Sequence, residues 1–142
     1  MMIREAVKED VKNIQRLMTI LENQTYEPVF FQTRFYQHIE NELYLYYVYV
    51  IDEQIVGFIS LFIKEPLHHI GKTGEILELC VDPDYRNQNI GAKLLYHVEE
   101  YAKANHFEEI ELSSHMRRKD AHRFYEKNYY QKDHFNFTKK LK

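Results

Sequence analysis

Two runs of aromatic and β-branched residues, YLYYVYV at 44–50 and IVGFISLFI at 55–63, are separated only by IDEQ. Side chains of this kind suit a pleated, half-buried surface, and the short polar interruption predicts an antiparallel hairpin with a longer loop. The rest of the chain must build on that pair. EILELCV (75–81) predicts another strand, ended by Asp82-Pro83 because Pro83 has no N–H to donate. MIREA near the start, EEIELSS (108–114) and HFNFTKKL (134–141), with alternate Phe135 and Phe137, predict further strands.

Helical spacing separates these strands. Val11, Ile14, Leu17, Met18 and Leu21 share one face, as do Leu94, Leu95, Val98, Tyr101 and Ala102 of a helix running from Ile90 to about Asn105. KDAHRFYEKN (119–128) predicts a third helix. The expectation is one α/β domain over residues 1–142, with a mixed, mostly antiparallel central sheet flanked by helices. The aromatic-rich segment 23–42 stays open between core and binding pocket.

The 142 residues suffice for a core without disulfides, and the single Cys80 cannot form an internal one, in keeping with a reducing compartment. There is no membrane-length apolar run and no secretion-signal layout, so a soluble, cytoplasmic protein without a membrane partner is expected. Net charge is -3 but uneven: residues 1–112 hold 10 basic and 19 acidic side chains, residues 113–142 hold 9 and 3. A basic C-terminal third suits a small anionic ligand better than nucleic acid, and suits a solvated face equally well.

The stretch VDPDYRNQNIGAKLL (81–95) reads as a strand end, a turn and a helix start. A helix start presents unpaired amides and a positive dipole end to an anion. Only Gly91 supplies glycine, but Asn87 and Asn89 are the residues best able to replace it in left-handed geometry. Two other phosphate motifs fail. GKT at 71–73 has Pro66 where a nucleotide P-loop needs glycine, and no G-x-G-x-x-G run occurs.

This stretch resembles the acetyl-CoA pyrophosphate loop of the GNAT N-acetyltransferases, with Arg86, Asn89 and Gly91 on the pattern [RQ]-x-x-G-x-[GA]. LHH at 67–69, DAHRFY at 120–125 and the HFNFTKKL ending are similar to aminoalkylphosphonate N-acetyltransferases within that family. The resemblance is strong over 65–142 and faint before. It implies a sheet split into a V, with acetyl-CoA as cosubstrate lying in the gap. Backbone amides of Gln88, Asn89, Ile90, Gly91, Ala92 and Lys93 would hold the pyrophosphate, and the main chain of Leu79, Cys80 and Val81 the pantetheine, with an oxyanion donor near Cys80 or Val81.

Acetylating a primary amine requires a neutral nitrogen, a polarised thioester and a proton for the departing thiolate. Glu78 shares a strand face with Cys80 and is the candidate base, or else a solvent-facing carboxylate. By resemblance, Tyr125 is the general acid; without it, packing beside Phe124 would be the default. Asn128 is expected to end this helix, because the family often has glycine where this chain has Tyr129.

A phosphonate head calls for cations, and His68, His69, Arg117 and His122 are the candidates. Adjacent histidines diverge, so no metal ligand is assigned, while a divalent ion bridging enzyme and phosphonate stays open. The acceptor is expected to be a small-molecule amine, with a polyamine, aminosugar or protein amine as alternatives. A non-catalytic acetyl-CoA-binding module is a further alternative, and exposed sheet edges make a homodimer reasonable.

Overall fold

The structure is a computed structural model and describes residues 2–142. The chain divides into two compact units, one running to Glu111 and the other Leu112–Lys142. The first carries the strands β1 (Met2–Glu5), β2 (Tyr44–Ile51), β3 (Gln54–Lys64) and β4 (Thr73–Val81) and the helices α1 (Val11–Glu22), α2 (Pro28–Ile39) and α3 (Ile90–Ala104). The strand β5 (Glu109–Leu112) ends where the second unit begins, and α4 (Lys119–Lys127) belongs to that unit.

The sheet has the order β1-β2-β3-β4-β5, antiparallel from β1 to β4. The hairpin forms as expected, but its turn is tighter. Ile51 pairs with Gln54, leaving only Asp52 (φ 48°) and Glu53 (φ 66°) between the strands, both left-handed. A two-residue turn of this geometry matches the twist of the flanking strands, and glycine or asparagine normally marks it.

Helices α1 and α2 cover one sheet face, where Val11, Ile14, Leu17 and Phe35 bury against Val48, Ile55, Phe58 and Cys80. α3 covers the other. A Cβ on Gly57 would lie 3.3 Å from both Ile90 and Leu94, so the missing side chain lets the start of α3 settle onto β3. Helix α2 was not foreseen as a helix. Pro28 occupies its first turn and the Glu27 carboxylate caps Val29 N at 3.1 Å and Phe30 N at 2.8 Å.

β4 and β5 run in the same direction from a shared start. Glu108 N donates to Lys72 O at 2.8 Å, and Lys64 Nζ reaches Glu75 at 3.2 Å and Glu111 at 2.6 Å. Having four residues against nine, β5 accompanies only the first half of β4. No strand of the described sheet takes the outer edge of residues 77–81.

The second unit differs from expectation at its end. α4 forms, and residues 113 and 114 lie beyond β5, but residues 131–142 adopt no strand and are exposed throughout. The alternating HFNFTKKL pattern has no strand partner there, and a lone strand has nothing to satisfy its amides or cover its apolar side. The stop to α4 also falls one residue late. Asn128 stays right-handed (φ -94°), whereas Tyr129 takes φ 72°. Tyr129 N donates to Glu126 O and Tyr130 N to Tyr125 O, each at 3.0 Å, closing a Schellman motif around a residue where glycine is favoured.

Candidate active site

Glu78 owes its position to an irregularity. Ser60 pairs with Glu78 and Leu61 with Ile76, which leaves Leu77 as an extra residue in β4. Ser60, fully buried, closes the gap: its Oγ accepts from Glu78 N at 3.0 Å and donates to the Glu78 carboxylate. A buried hydroxyl costs free energy unless paired, and this one is paired twice to the same residue. Burial raises the Glu78 carboxyl above the ordinary carboxylate range, the Ser60 hydrogen bond opposes the shift, and the Glu22 charge adds to it.

Two phenols sense that carboxylate. Burial raises both Tyr46 and Tyr26, with the Glu78 charge contributing to each. Tyr26 comes from the segment left open between core and pocket, and Glu22, Tyr26 and Ser60 had not been singled out from the sequence. Ser60 meets Glu78 across the β3–β4 ladder beside a register shift, which no local sequence pattern announces.

Cys80 shares the Glu78 face, as expected. Its Sγ donates to Leu17 O at 3.1 Å, and burial pushes the thiol up to about 11, so it is a packed strand residue and not a nucleophile.

The turn after β4 is built largely by backbone. Asp82 N donates to Val56 O at 2.8 Å, and Tyr85 N to Asp82 O at 2.9 Å. The Asp82 carboxylate accepts from Asp84 N at 3.0 Å and pairs with Arg16 at 2.8 Å, while Arg16 also donates to Ile55 O at 3.1 Å. Accepting the Asp84 amide, helped by Arg16, holds the Asp82 carboxyl below its ordinary value. Arg16 therefore ties α1 to the base of the loop, a role with no local sequence signature.

Asn87 (φ 67°) and Asn89 (φ 60°) both take left-handed geometry, and no glycine among the described residues does. Gly91 sits inside α3 and contributes a bare Cα, not a special φ. Asn89 makes no side-chain cap, and a helix start of this kind presents first-turn amides that an anion can accept from. This donor set suits a diphosphate, and the edge of Leu79, Cys80 and Val81 that leads to it has no strand partner.

His69 lies in the turn before β4. It meets Glu108 at 2.6 Å through Nδ1 and Glu109 at 3.6 Å through Nε2, while exposed His68 stands 4.5 Å away ring to ring. In the second unit, His122 Nε2 donates to His115 O at 2.9 Å, and Arg117 N and Nε both donate to His115 Nδ1 at 3.1 Å. Arg117 and His122 are thus gathered around His115, which had not been named from the sequence. Tyr125 lies against Phe124 and Tyr130, with ring centroids 5.2 and 5.8 Å apart. Burial raises its phenol, against the nearby Arg118, so it keeps its proton at neutral pH. Among the described residues no three His, Cys, Asp or Glu side chains cluster as a metal site, and no helix is long and apolar enough to cross a membrane.

A sheet whose fourth strand feeds an uncapped helix start through a backbone-built loop is an arrangement suited to a diphosphate-bearing cosubstrate. The chain belongs to the acetyltransferase (GNAT) family, whose profile matches residues 10–129. It is an acetyl-CoA-dependent N-acetyltransferase. It is 37% identical over 139 residues to the aminoalkylphosphonate N-acetyltransferase of Salmonella typhimurium strain LT2, covering 98% of this chain and 90% of that protein. The fold is similar to a transcriptional regulator from Bacillus halodurans C-125 (TM-score 0.92, 24% identity, 99% of each chain). It is also similar to an aminoglycoside acetyltransferase from an uncultured soil metagenomic sample, solved with trehalose (TM-score 0.83, 21% identity, 99% of this chain and 96% of that one).

Proposed function

We propose that this enzyme acetylates the primary amine of an aminoalkylphosphonate, with both units acting as one GNAT domain over 1–142. The observation that carries the reaction chemistry is Glu78, half-buried, clamped by Ser60, and raised in pKa towards the range where a carboxylate accepts a proton readily. The phosphonate preference rests on the Salmonella relative.

In this reading the Glu78 carboxylate takes the ammonium proton, and the freed amine attacks the thioester carbonyl. An amide near Cys80 or Val81 receives the oxyanion. The C–S bond breaks, and the leaving thiolate takes the Tyr125 phenol proton. The proton shed by the new amide nitrogen returns to the phenolate through solvent. Left-handed Asn87 and Asn89, with Arg86 beside them, shape the diphosphate seat from Gln88 to Lys93.

Arg117 and His122 are the proposed phosphonate ligands, being gathered around His115 in a basic segment. His68 is the proposed third, and His69 supports it through Glu108. A divalent ion bridging to the phosphonate is the other means of neutralising that charge. Dialysis against a chelator distinguishes the two: side-chain recognition leaves the rate unchanged, and an ion makes the rate depend on added metal. We place the reaction in the cytoplasm, where acetyl-CoA is at hand.

Coenzyme A release from acetyl-CoA should require aminomethylphosphonate and should not occur with methylphosphonate, which lacks the amine. Release with other amines but not with aminophosphonates would overturn the substrate reading. Tyr125→Phe should lower kcat and leave acetyl-CoA affinity unchanged, whereas loss of both would assign Tyr125 to packing.

A further inference from the structure

One row of side chains crosses the middle of the sheet. Tyr46 on β2 pairs with Ser60 on β3, and Ser60 pairs with Glu78 on β4. Residues directly opposite on neighbouring strands point to the same face. Here it is the face that α1 and α2 cover, since Val48, Phe58 and Cys80 form the next row along it. Ser60 is fully buried, whereas Tyr46 and Glu78 on either side are each half-buried. A molecule arriving from solvent therefore meets the phenol and the carboxylate, not the serine.

Tyr46 is closely held. Its ring packs edge-on against Phe35, with centroids 5.4 Å apart, and lies nearly parallel to Phe58 at 6.4 Å. Its hydroxyl is 2.8 Å from Nδ1 of His38, in the last turn of α2. His38 is fixed in turn, because its ring stacks on Tyr44 at 3.8 Å with 7° between the planes. Among the described residues no other hydrogen bond reaches the Tyr46 hydroxyl. A half-buried O–H left without an acceptor costs free energy, so the phenol donates to His38 Nδ1, and the imidazole carries its own proton on Nε2. Burial acts in the same sense: it raises the phenol and, with Arg34 adding to the effect, lowers the imidazole, so the phenol stays protonated and His38 uncharged.

With its proton committed, the Tyr46 oxygen can only accept. Glu78 accepts as well, its charge is felt at Tyr46, Glu22 adds a second negative charge, and among the described residues no cation pairs with it. Two acceptors flanking one buried serine call for a positive group with several donors, which describes a primary ammonium.

We propose that Tyr46 is a second hydrogen-bond acceptor, beside Glu78, for the amine to be acetylated, and that His38 is the positioning residue that aims it. This rests on Glu78 being the base. When Glu78 takes one ammonium proton, Tyr46 keeps hold of another N–H, and the new lone pair stays in one orientation for attack. An alcohol of the same shape has one donor where two acceptors wait, so the pair also selects amines over alcohols.

Tyr46→Phe keeps the ring contacts and removes the hydroxyl. It should lower kcat/KM for aminomethylphosphonate by roughly 10- to 100-fold, the usual worth of a hydrogen bond to a charged group, with acetyl-CoA affinity unchanged. His38→Leu should lose part of the same rate, and His38→Asn, whose Oδ1 can replace Nδ1 as acceptor, should restore it. An unaltered kcat/KM in Tyr46→Phe, or a matching loss of acetyl-CoA affinity, would overturn the proposal. Equal losses in the leucine and asparagine variants would overturn the positioning role of His38. If the wild-type enzyme passes over aminomethylphosphonate but acetylates spermidine or glucosamine, the phosphonate reading fails and the same comparison decides on that amine. Glu78→Gln at full turnover would sink the base, whereas Tyr46→Phe decides the second acceptor, so the two fail separately. Should Tyr46→Phe not fold, nitrogen NMR of isotope-labelled wild-type enzyme saturated with coenzyme A decides, with the His38 signal assigned by its loss in His38→Asn. Saturating aminomethylphosphonate should move the Nδ1 signal and methylphosphonate should not, because a phenol that accepts an N–H donates more strongly. A signal that responds to both alike, or to neither, would overturn the proposal.

Discussion

The two halves of β4 have the same kind of sequence and opposite duties. In the first half, Thr73, Gly74 and Ile76 are buried, β3 lies on one side and β5 on the other, and the ladder is regular. In the second half Leu77 is extra, the outer edge has no strand, and a half-buried carboxylate replaces what would be an apolar core residue. One half stabilises the fold. The other carries features that cost stability, a bulge, an open edge and a desolvated acid, each of which the proposed acyl transfer would use. Where one strand combines both behaviours, the point of change marks the site more sharply than motif spacing does.

Substitutions on either side of that point should separate cleanly. Glu78→Gln should lower kcat by roughly 100-fold or more, the usual contribution of a general base. It should not lower stability. A carboxyl raised in the folded state binds its proton more tightly there than in the unfolded chain, so wild-type stability falls as pH rises from the ordinary carboxylate value through the raised one. The glutamine variant should lose that fall, which thermal melts across the acidic range would measure.

Two positions away, Ile76→Ala should do the reverse. It removes a buried side chain from the regular half and should cost about 2–4 kcal/mol by denaturant titration, with kcat of the folded fraction little changed. A large kcat loss from Ile76→Ala would erase the division between the halves.

Ser60→Ala is the finer test. Its hydroxyl donates to the charged form of Glu78, so its loss should move the ascending limb of kcat/KM to higher pH, with acetyl-CoA affinity unaltered. Ser60→Thr, retaining the donor, should restore the limb. If Glu78→Gln abolishes turnover and Ser60→Ala leaves the limb in place, the carboxylate acts without the serine.

Most strands and helices were legible because their side chains repeat at periods of two or near four, as in the hairpin at 44–63 and in Leu94, Leu95 and Val98. Left-handed Asn87 and Asn89 were legible for a different reason, since asparagine tolerates that geometry. Asp52, Glu53 and Tyr129 adopt it without advertising it, because tertiary context imposes the turn on residues with little preference for it. Helix α2 was hidden by aromatic residues of low helical preference, and its signal was the Glu27-Pro28 start. The tail read as a strand and is not one: alternation reports a face that could be covered, not the presence of a cover. Around the candidate site, the face that Glu78 shares with Cys80 followed from strand alternation, but Ser60, Arg16 and His115 make pairings 18, 66 and 2 residues away, and only the folded register brings the first two to their partners.

The burial of Cys80 has a practical outcome. Its sulfur donates to a carbonyl of α1 and ionises only near 11, so at neutral pH the enzyme brings no reactive sulfhydryl of its own. A chromogenic disulfide reagent present during turnover should therefore report product alone, with a flat baseline that starts to rise only when the protein unfolds. One cuvette would then follow both catalysis and the integrity of the core.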